Sequence, residues 1–185
     1  MRVCVYCGAS PGNDPRYAAT ARAFGAALAR AGFGVVYGGG RVGLMGALAD
    51  GALEAGGEVI GIIPRFLEER EVAHRGVDLH VVQSMHERKA LMAEYADAFV
   101  ALPGGFGTFE EFFEIVTWVQ LGLADAPCVL ANLDGYFDAL LALIDGGRAK
   151  GFISAGNRAI VEAFPTIELV LARLTELRAQ DGASL

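Results

Sequence analysis

Two adjacent carboxylates, Glu110 and Glu111, follow the turn Pro103-Gly104-Gly105-Phe106-Gly107-Thr108. A turn of this composition aims unpaired backbone N–H groups and the positive end of the next helix at one spot, which suits a phosphate. A carboxylate in that helix's first turn is then held about a ribose's width away, an arrangement suited to chemistry on a nucleotide. The turn lacks the Gly-Lys-Ser/Thr ending of a P-loop, so triphosphate hydrolysis with Mg²⁺ is not implied. Glu111 also has a structural reading: Thr108-Phe109-Glu110-Glu111 fits a capping box, in which Glu111 reaches back to the Thr108 N–H. The spacing leaves capping and catalysis both open. A carboxylate near a helix N-terminus tends to stay ionised, which favours a charge-stabilising or base role over general acid.

Upstream, Arg88-Lys89 begins the second turn of another predicted helix on the same side of the sheet. One or both could pair with a phosphate or ribose, although taken by themselves they read as an ordinary solvated face. Ser84-Met85-His86-Glu87 is a second capping box, which gives Glu87 a structural role. Gly38-Gly39-Gly40-Arg41-Val42-Gly43 satisfies the dinucleotide fingerprint, but after the second strand instead of the first, and no acidic residue follows the third. Packing glycines or the lining of a mononucleotide fit it better. Cys4 and Cys7 form a C-x-x-C on a predicted strand, where positions three apart face opposite sides, and no second ligand pair exists. The three histidines show no metal spacing, and no G-x-S-x-G occurs.

The elements that must position these residues alternate along the chain. Strands are predicted at Arg2–Tyr6, Phe33–Tyr37, Val59–Ile63, Val77–Val82, Ala98–Leu102, Pro127–Ala131 and Ala159–Ala163. Helices are predicted at 14–31, opened by Asp14-Pro15, and at 43–55, 84–96, from Thr108 past Val119, 136–145 and 166–178. The charged section 65–76 reads as a short helix and loop, and the tail from Ala179 as frayed. This alternation predicts a single α/β domain over 1–185, a Rossmann-like open parallel sheet with helices on both faces and right-handed crossovers.

Composition narrows the function. Net charge is −7, which argues against a nucleic-acid partner because phosphate neutralisation needs a basic face. Apolar content of 54% hints at a self-association surface. No apolar run is long enough for a membrane span, no signal-peptide core precedes the first strand, and three cysteines suit a reduced, cytoplasmic protein.

Together, Met85-His86-Glu87-Arg88-Lys89 and Pro103-Gly104-Gly105-x-Gly107-Thr108-x-x-Glu111 resemble the LOG (Lonely Guy) cytokinin-activating enzymes, whose bacterial relatives were long mislabelled lysine decarboxylases. The likeness takes in Cys7-Gly8-Ala9-Ser10, Tyr37-Gly38-Gly39-Gly40, Gly43-Leu44-Met45-Gly46 and Thr117-Trp118-x-Gln120-Leu121-Gly122, nearly the whole chain. It departs at Ala9-Ser10-Pro11, where many relatives carry two serines. The resemblance implies a homodimer with sites near the subunit interface. It also implies cleavage of the N-glycosidic bond of a nucleoside 5′-monophosphate to free base and ribose 5-phosphate, without metal or redox cofactor. By position it makes Arg88 and Glu111 the catalytic pair and Gly105, Phe106, Gly107 and Thr108 the phosphate holders. Glu71, Lys89, Phe109, Glu110 and Thr117 then surround the substrate. A second reading is a non-catalytic carrier of a phosphorylated ligand, as in molybdenum-cofactor carriers. Lysine decarboxylase ranks last, since neither Lys89 nor Lys150 sits in a recognisable pyridoxal-phosphate setting.

Overall fold

In a computed structural model the structure describes residues 1–68 and 72–183, with backbone only at 181–183. Seven strands form one sheet: β1 (Arg2–Tyr6), β2 (Gly34–Tyr37), β3 (Val59–Pro64), β4 (Asp78–Val82), β5 (Ala98–Ala101), β6 (Cys128–Ala131) and β7 (Val161–Phe164). The order is β4-β3-β2-β1-β5-β6-β7 and every pairing is parallel. The helices are α1 (Pro15–Arg30), α2 (Gly43–Glu54), α3 (Met85–Glu94), α4 (Phe106–Gln120), α5 (Asp138–Ala149), α6 (Ala155–Ala159) and α7 (Ile167–Ala183).

The period-two alternation of the strands divides the core into two layers. Val3, Val5 and Val35 face Leu28 of α1, Leu48 of α2 and Leu174 of α7. Cys4, Tyr6, Val36 and Phe99 face Met92 of α3, Phe112 of α4 and Ile144 of α5. Cys4 and Cys7 fall in opposite layers, so the C-x-x-C thiols point to different sides of the sheet. Strand order runs outward in opposite directions from the β1/β5 pair. In an open α/β sheet the crevice beyond the carboxyl ends of such a pair is where ligands bind. Here it is bounded by the loops after Tyr6 and Ala101, the second of which carries the Pro103–Thr108 turn.

The structure departs from the sequence-based expectations in several places, and β7 spans Val161–Phe164 where Ala159–Ala163 was expected. Helix α4 starts at Phe106, capped by Gly105, whose carbonyl accepts from Phe109 N at 3.1 Å. Thr108 is therefore inside the helix, and the 108–111 capping box does not form. Helix α5 runs to Ala149 through Gly146-Gly147. Gly147 serves packing there, since a Cβ would lie 2.9 Å from Ile153 Cδ1. The unforeseen α6 precedes β7, capped by the Ser154 hydroxyl, which accepts from Asn157 N at 3.1 Å. Helix α7 continues to Ala183 instead of fraying at Ala179. Its last turns are anchored by Arg178, which donates to Ala31 O at 2.7 Å and lies 4.2 Å above the Phe33 ring. By contrast, Asp14 caps α1 as expected, accepting from Arg16 N at 2.9 Å. Ser84 likewise caps α3, although Glu87 reaches Gln83 N instead of Ser84 N.

Candidate active site

A cavity of about 520 Å³ occupies the crevice beyond β1 and β5. Three backbone segments meet at its floor. Gly8 N donates to Pro103 O at 3.1 Å, and Leu44 N, in the first turn of α2, donates to Gly8 O at 2.9 Å. Contact this close needs glycine. A Cβ on Gly104 would stand 2.9 Å from Gly8 N, and one on Gly43, where φ is +64°, would stand 2.4 Å from the Ala9 carbonyl. With the floor drawn together in this way, the first turn of α4 opens into the cavity with Gly105, Gly107 and the buried Thr108 in its lining. The N–H groups of such a helix start, with the helix dipole behind them, suit an anion.

Arg88 and Glu111 come from different helices and both line this cavity. Arg88 is only 4% exposed, and its Nη2 donates to Gly38 O at 2.8 Å. That bond explains Gly38, where a Cβ would lie 2.1 Å from the same nitrogen. Thus the 38–43 glycine motif is taken up within the protein. Gly38 O binds Arg88, Gly39 O accepts from His74 N, and Gly40 bridges Ala73. Leu44 and Met45 behind it line the cavity. The charge of Glu111 is felt along the end of β1. Burial first, and then Glu111, push the Cys7 thiol up, and burial, Cys4 and Glu111 raise the Tyr6 hydroxyl in the same direction.

The other residues singled out from the sequence are spread more widely. Glu110 lines the cavity rim. Lys89 turns away from it, onto Glu110 and Glu114. Phe106 is 92% exposed, and Phe109 packs edge-on against Phe137. Thr117 is exposed near the far end of α4, its hydroxyl donating to Phe113 O at 2.7 Å. Glu71 lies outside the described residues. The lining residues that had not been singled out include Tyr17 and Tyr136, whose rings meet edge to face at 6.2 Å. The Tyr136 hydroxyl donates to Gly104 O at 2.5 Å, bracing the glycine turn from the β6 side. Each tyrosine follows closely on the segment leaving the carboxyl end of a strand, and that placement is the signal that could have found them. Among the described residues no three His, Cys, Asp or Glu side chains gather as a metal site would require.

Sheet order, with the cavity lying beyond the carboxyl ends of β1 and β5, defines a Rossmann-like α/β protein. A family model described as "Possible lysine decarboxylase" matches residues 45–174. Over 174 residues the chain is 51% identical to the cytokinin riboside 5′-monophosphate phosphoribohydrolase of Rhodococcoides fascians, covering 93% of this chain and 88% of that one. A protein of the same name in Arabidopsis thaliana is 44% identical over 176 residues, 95% of this chain and 82% of that one. The chain belongs to the LOG family of phosphoribohydrolases. Among solved structures, the Moco carrier protein of Chlamydomonas reinhardtii matches with a TM-score of 0.71 over 97% of this chain and 98% of that one. At 22% identity that likeness speaks for the fold alone.

Proposed function

We propose that this chain hydrolyses the N-glycosidic bond of cytokinin riboside 5′-monophosphates, and of AMP, to an adenine-type base and ribose 5-phosphate. The observation that carries the reading is the opening of Arg88 and Glu111 into one cavity beside the α4 anion site. Gly105 to Thr108 hold the 5′-phosphate, which sets the ribose against Glu111. Water attacks C1′, and the bond to the base nitrogen breaks. The bonding electrons leave with the base, which takes up a proton, and the hydroxyl stays on C1′. Positive charge builds on the ribose as the bond opens, as in other glycoside hydrolyses. Glu111 stabilises that charge and orients or deprotonates the water. A guanidinium holds its proton too firmly to act as an acid, so Arg88 binds and polarises the substrate.

The working unit in this reading is a cytoplasmic homodimer. Phe106, Leu121 and Leu123 leave apolar surface along and just beyond α4 for a second copy to cover, and all three cysteines are free thiols, as in a reducing compartment. Neither lysine lines the cavity, so the decarboxylase label has no support there. The test is chromatography after incubation with AMP and, in parallel, isopentenyladenosine monophosphate. Free base from both, faster from the prenylated one, is expected. No base from either, with nucleotide retained by the protein, would overturn the reading in favour of a carrier.

A further inference from the structure

Arg88 and Lys89 are consecutive on α3, and Glu110 and Glu111 are consecutive on α4. Neighbours on a helix point about 100° apart, so Arg88 and Lys89 divide their work. Arg88 and Glu111 face the cavity. Lys89 enters the seam between the two helices, where its ammonium donates to Glu110 Oε1 at 2.5 Å and Glu114 Oε1 at 3.0 Å. Its side chain is only 10% exposed. Burial acts to lower its pKa, but the hydrogen bonds to Glu110 and Glu114 outweigh that and hold it above the ordinary lysine value. The ammonium is therefore firmly charged. Glu114 follows Glu110 by four positions and Glu111 by three, the spacings at which helical side chains are surface neighbours. Two carboxylates thus flank Glu111 along the helix, and Lys89 bridges them.

We propose that Lys89 is a positioning residue for the phosphoribohydrolase reaction, stapling α3 to α4 and cancelling the charge of Glu110 and Glu114 beside Glu111. The inference rests on the function proposed above. Without the ammonium, two carboxylates confront both Glu111 and the incoming phosphate. Like charges at neighbouring positions of one helix hold protons on a carboxylate and repel an anion. A lysine in direct contact with the substrate phosphate would act differently, because nothing done to Glu114 could replace it.

The experiment compares Lys89→Met, Lys89→Arg and the double variant Lys89→Met/Glu114→Gln. Steady-state base release from AMP is followed across pH, with AMP affinity by calorimetry and thermal midpoints alongside. Lys89→Met should raise KM about tenfold and move the acid limb of kcat/KM upward by about one pH unit. Lys89→Arg should keep the parental acid limb, since a guanidinium can also bridge two carboxylates. The double variant should recover a substantial part of both losses and melt above Lys89→Met. If Lys89→Met does not fold, recovery of folding and AMP binding in the double variant supports the staple. A double variant no better than Lys89→Met, or an acid limb that does not move, overturns it. A parent protein that binds AMP without releasing base would defeat the hydrolase reading and leave the staple to be judged on AMP affinity alone.

Discussion

Replacing Gly104 with alanine tests whether the cavity floor is held together by close backbone contact. The added Cβ would lie 2.1 Å from Thr108 Oγ1, 2.8 Å from Thr108 Cβ and 2.9 Å from Gly8 N. Thr108 is buried and β-branched within α4, so it has little rotamer freedom with which to give way. Gly8 N is committed to Pro103 O. The turn must therefore lift away from the β1 loop. Overpacking of this kind costs about 1–3 kcal/mol. With an unfolding entropy of about 0.4 kcal/mol/K for a chain this long, the melting temperature should fall by roughly 3–8 °C. Displacing the turn proposed to hold the phosphate by a fraction of an ångström to an ångström should also lower kcat/KM by up to about 10²-fold. Gly105→Ala is the control, because no atom lies within 4 Å of a Cβ built there and φ is an ordinary −99°. Its melting temperature should drop by about 2 °C at most, the modest cost of alanine at an N-cap. Calorimetric melting with base-release kinetics decides the matter. A Gly104→Ala protein with parental stability and parental kcat/KM would refute the reasoning.

Two further outcomes follow from side chains around the same sheet. Tyr136→Phe removes the hydroxyl donated to Gly104 O, a bond worth about 0.5–1.5 kcal/mol. KM for AMP should rise several-fold with kcat little changed, and an unaltered KM would contradict the bracing role. Burial pushes the Cys128 thiol from the ordinary 9.0 up to about 12. The folded chain thus keeps a proton that the unfolded chain releases above about pH 9, so this contribution is complete below that pH. It declines as pH rises towards 12, by up to about 1.4 kcal/mol per pH unit. Cys4 and Cys7, raised chiefly by burial, act in the same direction. The urea midpoint should drop between pH 8 and pH 10, less steeply in Cys128→Ala. Equal slopes for parent and variant would remove Cys128 from the account.

Local pattern carried most of the secondary structure. Asp14-Pro15 and Ser84 marked helix starts because capping is decided by the residue and its immediate neighbours. Ala98 to Leu102 read as a strand because it is a short apolar run that ends in turn residues. The same local logic failed at Thr108, where a capping-box spacing was satisfied by residues already inside the helix, since Gly105 had taken the cap. It failed again at Gly146-Gly147, where glycine serves packing against Ile153 instead of ending a helix. Strand order is not a local property. Without it, the meeting of the β1 and β5 loops and the arrival of Tyr17 and Tyr136 at one cavity could not be read off. The orientation of Lys89 was hidden for a related reason. Its sequence neighbour faces the cavity, and only the packing of α3 on α4 shows that it does not.

The central claim is that Glu111 acts on the ribose after the phosphate has been bound elsewhere, and Glu111→Gln tests it most directly. The substitution keeps the side chain's size while removing its charge. AMP affinity by calorimetry and single-turnover base release should be measured on the same preparation. The account predicts affinity within about threefold of the parent, because it assigns phosphate binding to the α4 N-terminus. It predicts a turnover lower by about 10²–10⁴-fold. Base release at the parental rate, or a loss of activity explained entirely by lost AMP binding, would contradict it.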